Sequence, residues 1–367
     1  MKYNWKPFAI NSSETHIIFI EDGGLFLGVT KGLDGWKIDH APIKFDEIAY
    51  DDEWFTDKEH LNSSERIEEV LRHLSSLGRE FERTEERILD VCDDVRSSYN
   101  HNQKSIYEWM ENTYRSCLEN PYLSLAIKES RSTQQIINRD EPLPKVAESP
   151  SKVIHISNKK TFEAAEKYKG KKVAVLNFAN DSSIGGSPWY AKAQEEYLCR
   201  CSTLYRCLEQ AEEEFYKRHR EEYHNWTLDN YGSDDIIYTK DVIVFKKEEP
   251  YSEILPFNDW FKLDVITCAA PYLDKEYAQN MNQSMKDHFS EKMEKRIARI
   301  LRVAKSHDVE VIILGAFGCG AFNNPPDLVA KAFKKELEKV SFEIVEFAIF
   351  DGRPPLNYAA FERVFKD

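Results

Sequence analysis

Six short, largely apolar runs spaced along the last two thirds of the chain constrain its fold more than any other feature. They are VIHIS (153–157), KVAVLNFA (172–179), IIYTKDVIVFK (236–246), DVITCAAP (264–271), VEVIILGAF (309–317) and EIVEFAIFD (343–351). Continuous apolar runs of this length are the signature of strands covered on both faces. The segments between them carry helical period: Met293, Ile297, Ile300, Leu301 and Ala304 form one stripe over 289–306, and Val329, Phe333, Leu337 and Val340 another over 327–340. Alternating strands and helices predict a layered α/β domain with a mixed sheet, whose ligand lies beyond the carboxyl ends of the strands.

Ahead of this pattern the chain reads differently. Residues 16–50 hold the β-like runs HIIFIED and LFLGVT between glycine turns, and 64–138 turn helical, with Ile67, Val70, Leu71 and Leu74 on one face. The stretch RDEPLPKVAESPSK (139–152) has three prolines and marks a boundary. The expected organisation is a region over 1–140, a short β element then helices of unassigned role, followed by a ligand-binding domain over 150–367.

Composition narrows the function. A formal charge of −14 opposes the clustered Lys and Arg that nucleic-acid binding needs, so no direct nucleic-acid partner is expected. A small anionic ligand stays compatible, because backbone N–H groups bind phosphate without net positive charge. The seven cysteines are odd in number and scattered, which predicts reduced thiols. Cys199 and Cys201 face nearly opposite ways on a helix with no histidine at ligand spacing, so no metal and no cofactor are expected. The start of the chain lacks the apolar stretch of a signal peptide and no run of 18 apolar residues occurs, which predicts a cytoplasmic protein without membrane contact, unless it is exported without a cleaved signal.

Two loops stand where chemistry is expected. The first, NFANDSSIGGSPWYAKAQEEYLCRCSTLY, leaves its strand at Asn180, turns at Gly185-Gly186 and is predicted to enter a helix near Tyr190. Leu198, Cys201, Leu204, Tyr205 and Leu208 form the buried stripe, and Glu195 shares that side. Burial and a neighbouring carboxylate raise a carboxyl pKa, so one member of the Glu195–Glu196 pair is suited to hold a proton for a departing glycosidic oxygen. On these residues alone a plain turn, and an acidic first turn complementing the helix dipole, are the readings favoured over a ligand site. The second loop, GAFGCGAFNNPP, brings Gly315, Gly318 and Gly320 ahead of a helix near Pro326, with Phe322 either shaping a sugar pocket or anchoring the loop. Neither loop fits GxGxxG with a following acid or GxxxxGK[ST], and HExxH, paired CxxC and a nucleophile elbow are absent from the sequence.

The first loop resembles the bacterial-type poly(ADP-ribose) glycohydrolases, macrodomain proteins whose signature is a triple glycine followed after a short spacer by Gln-Glu-Glu. Here Gly185-Gly186 precedes Gln194-Glu195-Glu196, and the likeness extends through VIHISNKKTFEAAEKY, ITCAAP, GAFGCGAFNNPP and FAIFDGRPPLNYAAF. The resemblance implies a macrodomain-like α/β/α sandwich of three layers over 150–367 and a hydrolase of poly- or mono-ADP-ribosylated protein, cleaving a glycosidic or ester-linked bond. It implies Glu196 as the catalytic acid and Glu195 as the holder of a ribose hydroxyl. Asn180 and Gln194 would place the distal ribose; Gly185, Gly186, Gly315, Gly318, Cys319 and Gly320 would line the diphosphate, and Phe322 would pack on the terminal ribose. The triple glycine is incomplete, reading Ile184-Gly185-Gly186 or Gly185-Gly186-Ser187. An ADP-ribose reader without turnover is the alternative.

Overall fold

The structure is a computed structural model. It describes 106–367 save residues 152, 223–231, 248–252, 353 and 367, together with the start of one helix and six short strands ahead of 106. Two compact units emerge, Met1–Ser105 and Ile106–Asp367.

In the first unit β1 (Lys6–Asn11), β2 (His16–Glu21), β3 (Leu25–Gly32), β4 (Gly35–Ile38), β5 (Ile43–Lys44) and β6 (Phe81–Glu82) form an antiparallel sheet ordered β4-β3-β2-β1-β6, with β5 also on β3. The β-like runs expected over 16–50 are therefore strands. Residues 81–82, expected to be helical, pair with β1. The rest of the helical expectation over 64–100 lies outside the described residues.

The second unit is built on a seven-stranded sheet: β7 (Gln135–Ile137), β8 (Ile154–Ser157), β9 (Val173–Phe178), β10 (Ile236–Val244), β11 (Phe261–Cys268), β12 (Val311–Leu314) and β13 (Ile344–Ala348), ordered β7-β10-β11-β9-β12-β13-β8. From β11 to β8 the neighbours run parallel, while β10 and β7 are antiparallel additions at one edge. The six apolar runs are thus all strands of one mixed sheet.

Strand side chains alternate between two cores, as the period of two requires. Ala174 and Leu176 of β9, with Ile312 and Leu314 of β12, meet α8 (Gln283–Ser306), α9 (Pro326–Leu337) and α10 (Leu356–Lys366) on one face. Val173, Val175, Val311 and Ile313 meet α3 (Thr161–Glu166), α4 (Gln194–Cys201) and α5 (Leu204–Leu208) on the other. The result is a helix, sheet and helix sandwich.

The unit starts well before the proline-rich stretch at 139–152. Helices α1 (His101–Glu119) and α2 (Pro121–Thr133) pack beside the sheet, where Cys117, Leu123, Ala126 and Ile127 share a small core with Cys207, Ile243 and Phe245. Strand β7 pairs with β10. The boundary expected at 140–150 is displaced because prolines only break regular structure: here they shape a connection from one edge of the sheet to the other. No described helix is long and apolar enough to cross a membrane.

Candidate active site

Strand β9 is apolar except for Asn177, which is wholly buried opposite Thr267 of β11. Its Nδ2 donates to Glu195 Oε1 at 3.1 Å and to Thr267 Oγ1 at 3.3 Å. An amide inside an apolar strand is costly unless bonded; here the Nδ2 end is bonded to Glu195 of the candidate acid pair, while Oδ1 is buried without a partner. Asn177 was missed from the sequence, although its place inside KVAVLNFA was the available signal.

Beyond β9 the chain runs through a long loop before α4 begins at Gln194, four residues later than the expected start near Tyr190. Ala193 offers no side-chain cap. The loop is instead fastened to the first turn of the helix at both ends: Asn180 donates its N–H to Glu195 Oε2 at 2.7 Å, and Ser187 its N–H to Glu196 Oε1 at 3.0 Å. Arg200, fully buried on the same helix, donates to the carbonyls of Pro188 at 2.9 Å and Ala191 at 2.6 Å. Trp189 Nε1 donates to Glu111 of α1 at 2.7 Å, and its ring meets Tyr205 edge-on.

Both carboxylates of the pair are buried, Glu195 3% and Glu196 7% exposed. Burial pushes the Glu195 carboxyl well above the ordinary carboxylate range; the Asn180 N–H and Asn177 amide oppose this, and the neighbouring charge of Glu196 adds to it. Both oxygens of Glu195 are engaged. Glu196 Oε2 is buried with no hydrogen-bond partner, and Glu196 lines a cavity.

That cavity, of about 470 Å³, opens over the carboxyl ends of the parallel strands, where the topology placed it. Asn180, Gln194, Glu195 and Glu196 line it, as do Gly318, Gly320 and Phe322. Lys159, Lys160, Lys192, Phe178, Phe350 and Asn357, which belong to no recognisable motif, line it too. Volume and lining suit a dinucleotide-sized ligand with an acidic end near β9 and a cationic, aromatic end near β13 and β8.

Gly185, Gly186, Gly315 and Cys319 are not among the cavity-lining residues. Gly185 (φ +64°) and Gly186 (φ +67°) serve packing behind the pair: a Cβ at Gly186 would overlap Glu196 Oε1 and come within 3.0 Å of Glu195 Oε2, and one at Gly185 would come 2.8 Å from Cys199 Sγ. A Cβ at Gly315 would meet the Ala348 carbonyl and the Phe178 ring, each at 2.8 Å. Cys319 Sγ contacts the Phe317 carbonyl at 3.7 Å, and burial raises its thiol pKa. Ser187 is not among the positive-φ residues, so a side chain is tolerated there, and Ile184 packs against the core.

Gln194 lines the cavity, yet its side chain is already committed. Oε1 accepts from Phe178 N at 2.9 Å, while Nε2 donates to Thr161 Oγ1 at 3.0 Å and to the Leu176 carbonyl at 2.9 Å. It stitches α4 to β9 and α3. Asn180 Oδ1 accepts from Ser182 N and Oγ and from Ser183 N at 2.8 to 2.9 Å, an Asx turn that sets the loop. Phe322 stacks edge-on with Tyr272 and packs on the core as well as lining the cavity. Among the described residues no three His, Cys, Asp or Glu converge as a metal site.

Residues 99–247 match the family model of the microbial-type PARG catalytic domain. Over that stretch the chain is similar to the catalytic domain of the bacterial-type poly(ADP-ribose) glycohydrolases. The poly(ADP-ribose) glycohydrolase of Thermomonospora curvata, solved with the inhibitor ADP-HPD, is 25% identical; the match covers 71% of this chain and 100% of that one, with a TM-score of 0.60. The glycohydrolase of Deinococcus radiodurans in complex with ADP-ribose is 27% identical, over 65% of this chain and 97% of that one, with a TM-score of 0.56. No curated protein sequence matches the chain. The glycohydrolase match starts inside the helical stretch ahead of the prolines, in agreement with α1 belonging to the second unit.

Proposed function

We propose that this chain hydrolyses the bond that joins the anomeric carbon of ADP-ribose to a further ADP-ribose or to protein. The observation that carries the reading is the disposition of the acid pair: two adjacent buried carboxyls on a cavity wall, one with both oxygens engaged and the other with Oε2 unpartnered. Binding alone does not call for such a pair, and no observation favours a reader without turnover.

In the proposed reaction Glu196, protonated, gives its proton to the departing oxygen as the bond from that oxygen to the anomeric carbon breaks. Positive charge develops on the ribose and is stabilised by nearby carboxylate and phosphate oxygens. Water adds to the anomeric carbon, and its proton returns to Glu196. The products are free ADP-ribose and the hydroxyl, or the acid, that carried it. Glu195, whose carboxyl burial pushes above the ordinary range, orients a ribose hydroxyl.

With the acidic end at β9, the adenosine end falls toward β13 and β8. Lys159 and Lys160 lie there, and Lys192 beside the acid pair. These cations offset the phosphate charge in a chain whose net charge is −14. Gly318, Gly320 and Phe322 complete the wall along the ligand.

The test is release of ADP-ribose from poly- and mono-ADP-ribosylated protein, alongside calorimetric binding of free ADP-ribose. Release by the wild type but not by Glu196→Gln supports the reading and identifies the bond. Binding without release from either substrate makes the chain a reader, and absence of binding removes the ligand assignment.

A further inference from the structure

The loop that aims the acid pair is gripped a second time, from a side that takes no part in lining the cavity. A π-helical turn (Glu212–Lys217) leads into α6 (Arg218–Glu222), and two consecutive side chains of α6 reach the loop backbone. His219 Nδ1 lies 3.2 Å from the Asp181 carbonyl, and Arg220 donates to the Ser182 carbonyl at 2.7 Å. These carbonyls lie just after Asn180, whose N–H holds Glu195, and before Ser187, whose N–H holds Glu196.

His219 is completely buried, with its Nε2 at 2.8 Å from Asp235 Oδ2. A backbone carbonyl and a carboxylate both only accept. The ring therefore bonds both partners only while both nitrogens carry protons, that is, as an imidazolium. Charges of both signs surround the ring. From the segment before β10 come Asp235 and Asp234; from the loop comes Asp181; from α8 comes Arg296, itself bonded to Asp234 at 2.8 Å; from α6 come Arg218, also on Asp235, and Arg220. Phe215 of the π-helical turn packs edge-on against the ring at 4.5 Å. Burial works against an ionised Asp235, but hydrogen bonds from His219, Ser233 and the Arg139 N–H, with the charge of Arg218, hold its carboxyl below the ordinary range. π-Helical turns recur where a helix is bent to place a functional side chain.

We infer that His219, held as an imidazolium between Asp235 and the Asp181 carbonyl, is a positioning residue that works with Arg220 to fix the 180–187 loop and thereby aims Glu195 and Glu196 at the substrate. The inference rests on the hydrolase reading for its kinetic consequence, not for its geometry. His219 touches neither substrate nor the acid pair; it acts through the loop.

The experiment combines a spectroscopic and a kinetic arm on the full chain. With 15N-labelled histidine, the wild type is expected to show two slowly exchanging ring N–H signals at neutral pH that vanish together in His219→Gln. In the kinetic arm, His219→Gln and Arg220→Ala are each expected to lower kcat about tenfold or more, with ADP-ribose affinity changed by less than about threefold, because misplacing a reacting group costs rate before binding. Arg220→Lys, which keeps a donor for the Ser182 carbonyl, is expected to recover most of the rate. Arg220 is partly exposed, so its variants fold even where the buried His219→Gln does not. A single ring N–H in the wild type, or kcat within about twofold of wild type in Arg220→Ala, overturns the inference. A wild type without turnover on any ADP-ribosylated substrate overturns the hydrolase reading instead, and then the NMR arm, with the affinities of the same variants, still decides whether the clamp exists.

Discussion

Ser187 donates its backbone N–H to Glu196 Oε1 at 3.0 Å, so the residue that interrupts the glycine run also anchors the proposed acid. With Oε1 tied down, Oε2, which has no partner, is the oxygen left for the proposed proton transfer. Glu196→Gln preserves the shape and an acceptor for Ser187 while removing the acid. Hydrolysis is expected to fall by about 10²- to 10⁴-fold, the usual worth of a positioned general acid, with ADP-ribose affinity nearly unchanged by calorimetry. A variant that keeps wild-type turnover would falsify the assignment.

Gly186→Ala tests whether this turn serves packing. The left-handed backbone and the overlap with Glu196 Oε1 both oppose a side chain, with a cost of about 1–3 kcal/mol for the strain alone. A lower melting temperature together with lost turnover is expected. Ser187→Gly is the control: Ser187 has no positive φ to relieve, so completing the triple glycine should change the rate little.

Much of this was legible beforehand because apolar periodicity is a local signal. All six strands, the helices after β11 and β12, and the inward-facing Glu195 follow from spacing alone. What escaped notice depends on contacts between distant parts of the chain. Gln194 and Asn180 read as ligand contacts, yet Gln194 spends its amide on Phe178, Leu176 and Thr161, and Asn180 its oxygen on an Asx turn. Gly185 and Gly186 read as a phosphate cradle and serve close packing on α4. Lys159, Lys160 and Phe350 meet at the cavity only because β8 and β13, far apart in sequence, are neighbours in the sheet.

Gln194→Ala separates stitching from ligand contact. The Phe178 N–H and Leu176 carbonyl lose their partner, and an unsatisfied buried polar group costs about 1–3 kcal/mol. The denaturant midpoint should fall markedly while the rate falls with it. An unchanged midpoint combined with a much weaker ADP-ribose affinity returns Gln194 to the ligand.

Stability should also respond to pH through Glu195. Its carboxyl is raised above the ordinary range mainly by burial, so the folded state prefers it protonated. A raised group contributes its stability below the unfolded-state pKa and loses it as pH rises through the folded-state value. Glu195→Gln removes this dependence at the cost of one acceptor. Denaturant melts across the acidic to alkaline range should find the difference between the two proteins moving steadily in the variant's favour as pH rises; parallel curves would sink the claim.

The place where the catalytic unit begins can be tested by truncation. Deletion of residues 1–100 spares α1 and the unit from Ile106 onward, so a folded chain that binds ADP-ribose is expected. Deletion of 1–140 removes far more than a linker. It takes away β7 from β10, the Trp189 partner Glu111, and the acceptors Asn112 and Thr113 that surround the Lys246 ammonium, 2% exposed, at 3.1 and 3.0 Å. It also removes Arg131, which bridges to Glu209 at 2.8 Å. Leaving a buried ammonium without acceptors is among the costlier changes a core can suffer. Circular dichroism melts should find the shorter deletion cooperative and the longer one unfolded; a longer deletion that folds and binds ligand would move the boundary back to the prolines.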